Sequence, residues 1–105
     1  MLSSARIKQL KSLHQKKIRR LENKFILEGY RLIDQALSAK SEIDEIWITK
    51  KSKDSLFWEK LLHKIEKQNI SWSIEPDKII HQISDSLNDQ GIIALAPIPT
   101  YKKHN

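Results

Sequence analysis

Apolar residues in this chain switch repeatedly between two spacings, and that alternation constrains its fold more than any other feature. Phe25-Ile26-Leu27, Ile43–Thr49, Ile70–Ile74 and Gly91–Ala96 are short runs, β-branched, aromatic or alternating, of the kind strands use. Between them the spacing returns to that of a helix. Leu32, Ile33, Ala36 and Leu37 share one face within Tyr30–Ala39, and Leu56, Phe57, Trp58, Leu61, Leu62 and Ile65 mark a helix ending near Gln68-Asn69. Ile79, Ile80 and Ile83 follow Pro76, a residue suited to a first helical turn. Ahead of the first strand, Ile7, Leu10, Leu13, Ile18 and Leu21 form a thin stripe that predicts one helix from Ser4 to Glu22, with Ser3 or Ser4 as its N-cap. The order α-β-α-β-α-β-α-β belongs to the α/β class, with one central sheet covered by helices on both faces: a three-layer α/β/α sandwich.

The same patterns assign the core. Ile26, Trp72, Ile93 and Leu95 are expected inside, with Ile70, Trp72 and Ile74 on one side of a half-buried strand. Trp47 alternates with Ile46 and Ile48 and therefore faces the opposite side of its strand. All three Trp are expected in the core or at its rim rather than as base-stacking platforms. Tyr30, beside Arg31, is the better stacking candidate. Ser52–Ser55 reads as a loop and cap, and Ser84–Gln90 as a polar loop. A length of 105 residues suits one core, so residues 1–97 are expected to form one domain and 98–105, following Pro97 and Pro99, a linker or frayed tail.

Charge divides the chain unevenly. From Arg6 to Lys24 eight basic residues stand against the single acid Glu22, giving +7, while the other 11 basic and 12 acidic residues leave −1. A field of this kind suits a polyanion. No apolar run approaches the about 20 residues of a membrane span, and the first residues lack the apolar core of a secretory signal. With no cysteine, disulfides and thiolate metal sites are excluded, and a cytoplasmic location is expected.

Catalytic patterns are scarce. Gly29 and Gly91 alone cannot build a phosphate-cradling or dinucleotide loop. His14, His63, His81 and His104 lack metal-ligand spacing, and no serine sits in a nucleophile elbow. The sequence therefore offers no catalytic, cofactor-binding or metal-binding residue.

Three separated segments carry a resemblance. Lys24-Phe25-Ile26-Leu27-Glu28-Gly29-Tyr30-Arg31-Leu32-Ile33, with Ala36-Leu37, resembles the F-hydrophobic-hydrophobic-E-G-x-R-L-hydrophobic signature of the SpoU (TrmH-type) RNA 2′-O-ribose methyltransferases, in their N-terminal substrate-binding domain. Ser4, Ile7-Lys8, Leu13 and the basic run Lys16–Arg20 resemble that family's opening helix. Ile83-Ser84-Asp85 and Gln90-Gly91-Ile92-Ile93-Ala94 resemble its closing segment, except that Asp89 stands where the family usually has Pro, which predicts a less rigid loop. The resemblance covers about Ser4 to Pro97. It implies an RNA-binding α/β domain that recognises tRNA or rRNA and precedes a knotted catalytic domain, one that binds S-adenosylmethionine and dimerises. These residues contain no such second domain.

Charge and resemblance together nominate Arg6, Lys8, Lys11, Lys16, Lys17, Arg19, Arg20 and Lys24 as RNA-backbone contacts. Glu28 and Arg31 are expected to form an internal pair or orient a loop, and by family analogy to touch RNA; Gln90 is a candidate for a ribose or base. The competing reading is a protein-interaction domain whose basic helix docks an acidic partner without contacting RNA.

Overall fold

Strand and helix exchange places where the apolar spacing changes, and the computed structural model describes residues 2–86 and 89–99. Its described elements are α1 (Ser4–Ser12), α2 (Lys16–Glu22), β1 (Lys24–Glu28), α3 (Tyr30–Ser38), β2 (Glu45–Ile48), α4 (Lys50–Lys53), α5 (Trp58–Lys67), β3 (Ser71–Ile74), α6 (Asp77–Ile83) and β4 (Ile92–Pro97). The four strands form one mixed sheet in the order β1-β4-β2-β3. β4 runs antiparallel to both neighbours, pairing Ile26 with Leu95 on one side and Trp47 with Ile93 on the other. β3 lies parallel to β2, with Ile46 opposite Trp72.

Alternation along β2 and β4 feeds two cores, as the pleat requires. Ile46, Ile48, Ile92 and Ala94 point to one face, where Ile33 and Leu37 of α3 and Trp58, Leu61 and Ile65 of α5 cover them. Trp47, Ile93 and Leu95 point to the other, against Leu10 of α1, Leu13, and Ile80 and Ile83 of α6. The three-layer α/β/α sandwich is therefore the observed fold.

Strand position corrects the expected core. β1 and β3 are the two sheet edges, so all five residues of β1 are half-buried rather than buried. Ile26 and Trp72 pack at the margin of their cores, and Ile74, at the end of β3, is 45% exposed. Trp58 and Trp72 meet edge-on, with ring centroids 4.9 Å apart. The segment Ser52–Ser55 is also not simply loop. Thr49 caps a single helical turn by accepting the Ser52 N–H at 3.2 Å.

The expected single helix over Ser4–Glu22 is two. α1 ends at Ser12, and Gln15 adopts extended backbone before α2 begins. The break is held from outside the helix. The Arg19 guanidinium donates to the carbonyls of Leu13 (3.0 Å) and His14 (2.7 Å), which a continuous helix would have used internally. The five-residue step from Leu13 to Ile18 in the apolar stripe is the sequence trace of this corner. The expected tail over 98–105 lies outside the described residues from Thr100 onward.

Candidate nucleic-acid interface

The carboxyl ends of β1, β2 and β3 and the start of β4 meet at one end of the sheet, because β4 is antiparallel to β1 and β2. Glu28, Thr49, Glu75 and Gly91 stand there. The two family-like segments around Glu28-Gly29 and Gln90-Gly91, far apart in sequence, are neighbours at this end. Gly29 N–H donates to the Ile92 carbonyl at 3.1 Å, and the Gln90 side-chain oxygen accepts the Tyr30 N–H at 2.9 Å. Gln90 thus satisfies one of the free amides at the start of α3, a position where Gly29 supplies no cap of its own. With φ +92°, Gly29 takes a backbone conformation that other residues rarely adopt.

Glu28 does not pair with Arg31. One of its oxygens accepts the Ser84 hydroxyl and the other accepts the Asp85 N–H at 3.1 Å, so it anchors the loop after α6. Its expected loop-orienting role is the one observed. Arg31 is exposed and its side chain has no hydrogen bond or ion pair among the described residues. Glu28, Gly29, Arg31, Leu32, Asp89 and Gln90 line an open cleft of about 150 Å³. It adjoins a larger one, about 620 Å³, bordered by Lys51, Phe57, Lys78 and His81 and sharing Asp89 and Gln90. Tyr30 is half-buried and stacks against Phe57, ring centroids 4.6 Å apart, so at least part of its ring is already covered.

Asp89, which the resemblance sets where the family usually has Pro, is tied at the end of its loop, whose residues 87 and 88 lie outside the described ones. One carboxylate oxygen accepts the Gly91 N–H at 3.1 Å and the other lies 3.1 Å from His81 Nδ1.

The basic residues separate into two groups. Arg19 is committed to the α1–α2 corner, and Lys24 forms an ion pair with Asp44. Arg6 is half-exposed and donates to Gln9 at 2.8 Å. Lys8, Lys11, Lys16, Lys17 and Arg20 are exposed, and their side chains have no hydrogen bond or ion pair among the described residues. Only this second group is wholly available to a ligand.

Sequence reasoning missed Glu75, Thr49 and Ser52. Glu75 is a carboxylate only 2% exposed whose oxygen accepts the Leu2 N–H at 2.6 Å, and nothing in the local pattern marks it. Thr49 and Ser52 hydroxyls occupy the space a side chain on Gly91 would need. Among the described residues, no cluster of three or more His, Asp or Glu could hold a metal ion, and no helix is long and apolar enough to cross a membrane.

Known proteins share this architecture. An RNA 2′-O ribose methyltransferase structure superimposes with a TM-score of 0.77 at 24% identity, covering 98% of this chain and 39% of that one. The SpoU methyltransferase AviRb from Streptomyces viridochromogenes, solved with AdoMet, matches with a TM-score of 0.77 at 15% identity, over 93% of this chain and 37% of its own. An AdoMet-bound rRNA methyltransferase from Sinorhizobium meliloti gives 0.70 at 20% identity, over 96% and 36%. This chain therefore spans well under half the length of each of these solved chains. No curated protein sequence matches it. The family model described as the MRM3-like substrate binding domain matches residues 4–94, nearly the whole described fold. The chain belongs to the MRM3-like substrate-binding domain family.

Proposed function

We propose that this domain binds the RNA substrate, tRNA or rRNA, of a SpoU-type 2′-O-ribose methyltransferase and holds it through phosphate contacts from α1 and α2. The observation that carries this reading is the availability of Lys8, Lys11, Lys16, Lys17 and Arg20 on a segment of charge +7, in a chain that is otherwise nearly neutral. Phosphate neutralisation by such cations supplies sequence-independent affinity, and RNA recognition by shape relies on contacts of this type. Arg31 and the amide nitrogen of Gln90, which has no hydrogen bond among the described residues, add donors at the cleft beside α3, where they would meet a ribose or an unpaired base.

Catalysis belongs, in this reading, to a separate domain that carries the S-adenosylmethionine of the relatives. At Gly29 the space beside the backbone is occupied by the Gln90 side chain, and at Gly91 by Thr49 and Ser52. Neither glycine offers an open cradle. Titration of S-adenosylmethionine into this chain alone is expected to give no saturable heat, and a one-to-one micromolar isotherm overturns that statement.

Salt dependence of RNA binding tests the reading. Log affinity for bulk tRNA is expected to fall linearly with log salt, by about 0.7 to 0.9 per phosphate contact. Changing Lys8, Lys11, Lys16, Lys17 and Arg20 to Gln should flatten the slope by about three units if most of them touch phosphate. Changing exposed Lys60 and Lys67 of α5 should leave it nearly unchanged. Equal flattening by both sets means diffuse attraction. No RNA binding at low salt favours the acidic-protein partner.

A further inference from the structure

His14, which the sequence marks only as lacking metal-ligand spacing, sits at the junction of two separate hydrogen-bond systems. Its ring Nε2 lies 2.5 Å from the carbonyl of Ile83, the last residue of α6, and so satisfies an acceptor that the helix end leaves free. Its own carbonyl, with that of Leu13, is taken by Arg19. Immediately beyond Ile83, the Ser84 hydroxyl and the Asp85 N–H are both held by Glu28, which immediately precedes Gly29-Tyr30-Arg31. A continuous path of hydrogen bonds and short backbone steps therefore runs from the α1–α2 corner to the Arg31–Gln90 cleft.

The topology gives this path a consequence. α2 begins at Lys16, two residues after His14, and ends shortly before β1. Lys16 and Lys17 are the α2 cations that follow most closely on the His14–Ile83 contact. Among the described residues no other hydrogen bond ties the start of α2 to the end of the sheet where Arg31 and Gln90 stand. Gln15 caps nothing with its side chain, and no residue of α2 is fully buried.

We propose that His14 is a positioning residue for RNA. It fixes the start of α2 on the end of α6, so that Lys16 and Lys17 and the Arg31–Gln90 cleft present one continuous contact face. This rests on the RNA-binding reading above and assigns the layout of that surface. Without the ring bond the corner keeps the packing of Leu13 and Ile18 and the Arg19 hydrogen bonds, but it loses its polar tie to the end of α6, and the two lysines lose their fixed place relative to the cleft. Phosphate contacts require that place, because separated charges on a mobile segment must be ordered again at each binding event.

Four variants of this chain, titrated with bulk tRNA over a salt series, test the proposal, with thermal unfolding recorded on each. Lys16→Gln with Lys17→Gln is expected to flatten the salt slope by about 1.5 units. His14→Leu should flatten it by a similar amount in the parent chain and change it no further in the double-lysine background, because His14 acts through those lysines. His14→Gln, whose amide can still donate to the Ile83 carbonyl, should restore most of the parent slope. A residue that merely stabilises the fold would lower the melting temperature and affinity equally in both backgrounds. Should His14→Leu fail to fold, Arg19→Lys loosens the same corner while keeping the charge, and the same lysine-dependent flattening is expected. A parent-like slope in the His14→Leu chain, or in Arg19→Lys where it substitutes, alongside a flattened double-lysine variant, overturns the proposal and leaves the RNA reading intact. An unaltered slope in the double-lysine variant overturns this proposal and removes these two lysines from the RNA surface.

Discussion

Gln90 caps a helix that begins 60 positions before it, its side-chain oxygen accepting the Tyr30 N–H at 2.9 Å. The two family-like segments are thus one structural unit at this end of the sheet. Gln90→Leu should cost about 1 kcal/mol, as loss of a helix cap commonly does, whereas Gln90→Glu should be near neutral because it keeps an acceptor beside the positive end of the helix. Gly29→Ala should cost about 1–3 kcal/mol through its backbone conformation. A Cβ there would come within 3.0 Å of the Gln90 oxygen, so the Gly29→Ala and Gln90→Leu losses should be less than additive. Urea denaturation of the three single variants and of the Gly29→Ala, Gln90→Leu double variant measures all of this.

Arg19 and Arg20 are adjacent, identical in type and opposite in role. Arg19→Gln should lower stability by about 1.5–3 kcal/mol, since a charged donor leaves two carbonyls at the corner. Arg20→Gln should change stability by less than about 0.5 kcal/mol, because it is exposed and unpaired among the described residues. RNA affinity measured for Arg20→Gln should nevertheless fall. Equal stability losses at both positions contradict the structural division between them.

Ile93 and Ile26 test the distinction between centre and edge. Ile93 is fully buried on the central strand, and Ile93→Ala should cost roughly 2–5 kcal/mol. Ile26 packs on the same core from the edge strand and is only half-buried, so Ile26→Ala should cost about 1–2 kcal/mol. Thermal or denaturant unfolding ranks them, and a reversed order contradicts the strand arrangement.

Gly91 has no room for a side chain. At φ +73° an added Cβ would stand 2.6 Å from the Thr49 hydroxyl oxygen and closer still to that of Ser52. Gly91→Ala should lose at least about 2 kcal/mol from backbone strain and displacement of these groups. Removing the Ser52 hydroxyl in the same chain should recover part of that loss.

The alternation of helix and strand was legible because each element repeats its spacing over several residues. The two-sided burial of β2 and β4 was legible for the same reason: Trp47 opposes Ile46 and Ile48 by simple alternation. Strand order was not, since Phe25-Ile26-Leu27 and Ile92-Ile93-Ala94 are similar apolar runs although one forms an edge and the other lies inside. The basic segment was visible as charge alone. Which cations are free depends on where Asp44 and the carbonyls of Leu13 and His14 come to lie, and those distances arise only on folding. Glu28 shows the same limit, because its partners are 56 and 57 positions away.

The strand that joins the sheet is the last of the four described strands to be made. β4 pairs with β1 on one side and β2 on the other, so during synthesis β1 has no partner strand and the β2–β3 pair has no central neighbour until residues 92–97 leave the ribosome. Its arrival closes the β1–β4 ladder across well over half of the chain and the β2–β4 ladder across almost half, an event of high contact order and thus intrinsically slow. The nascent domain therefore waits with two apolar faces open and in need of protection, and its assembly is timed by its final strand.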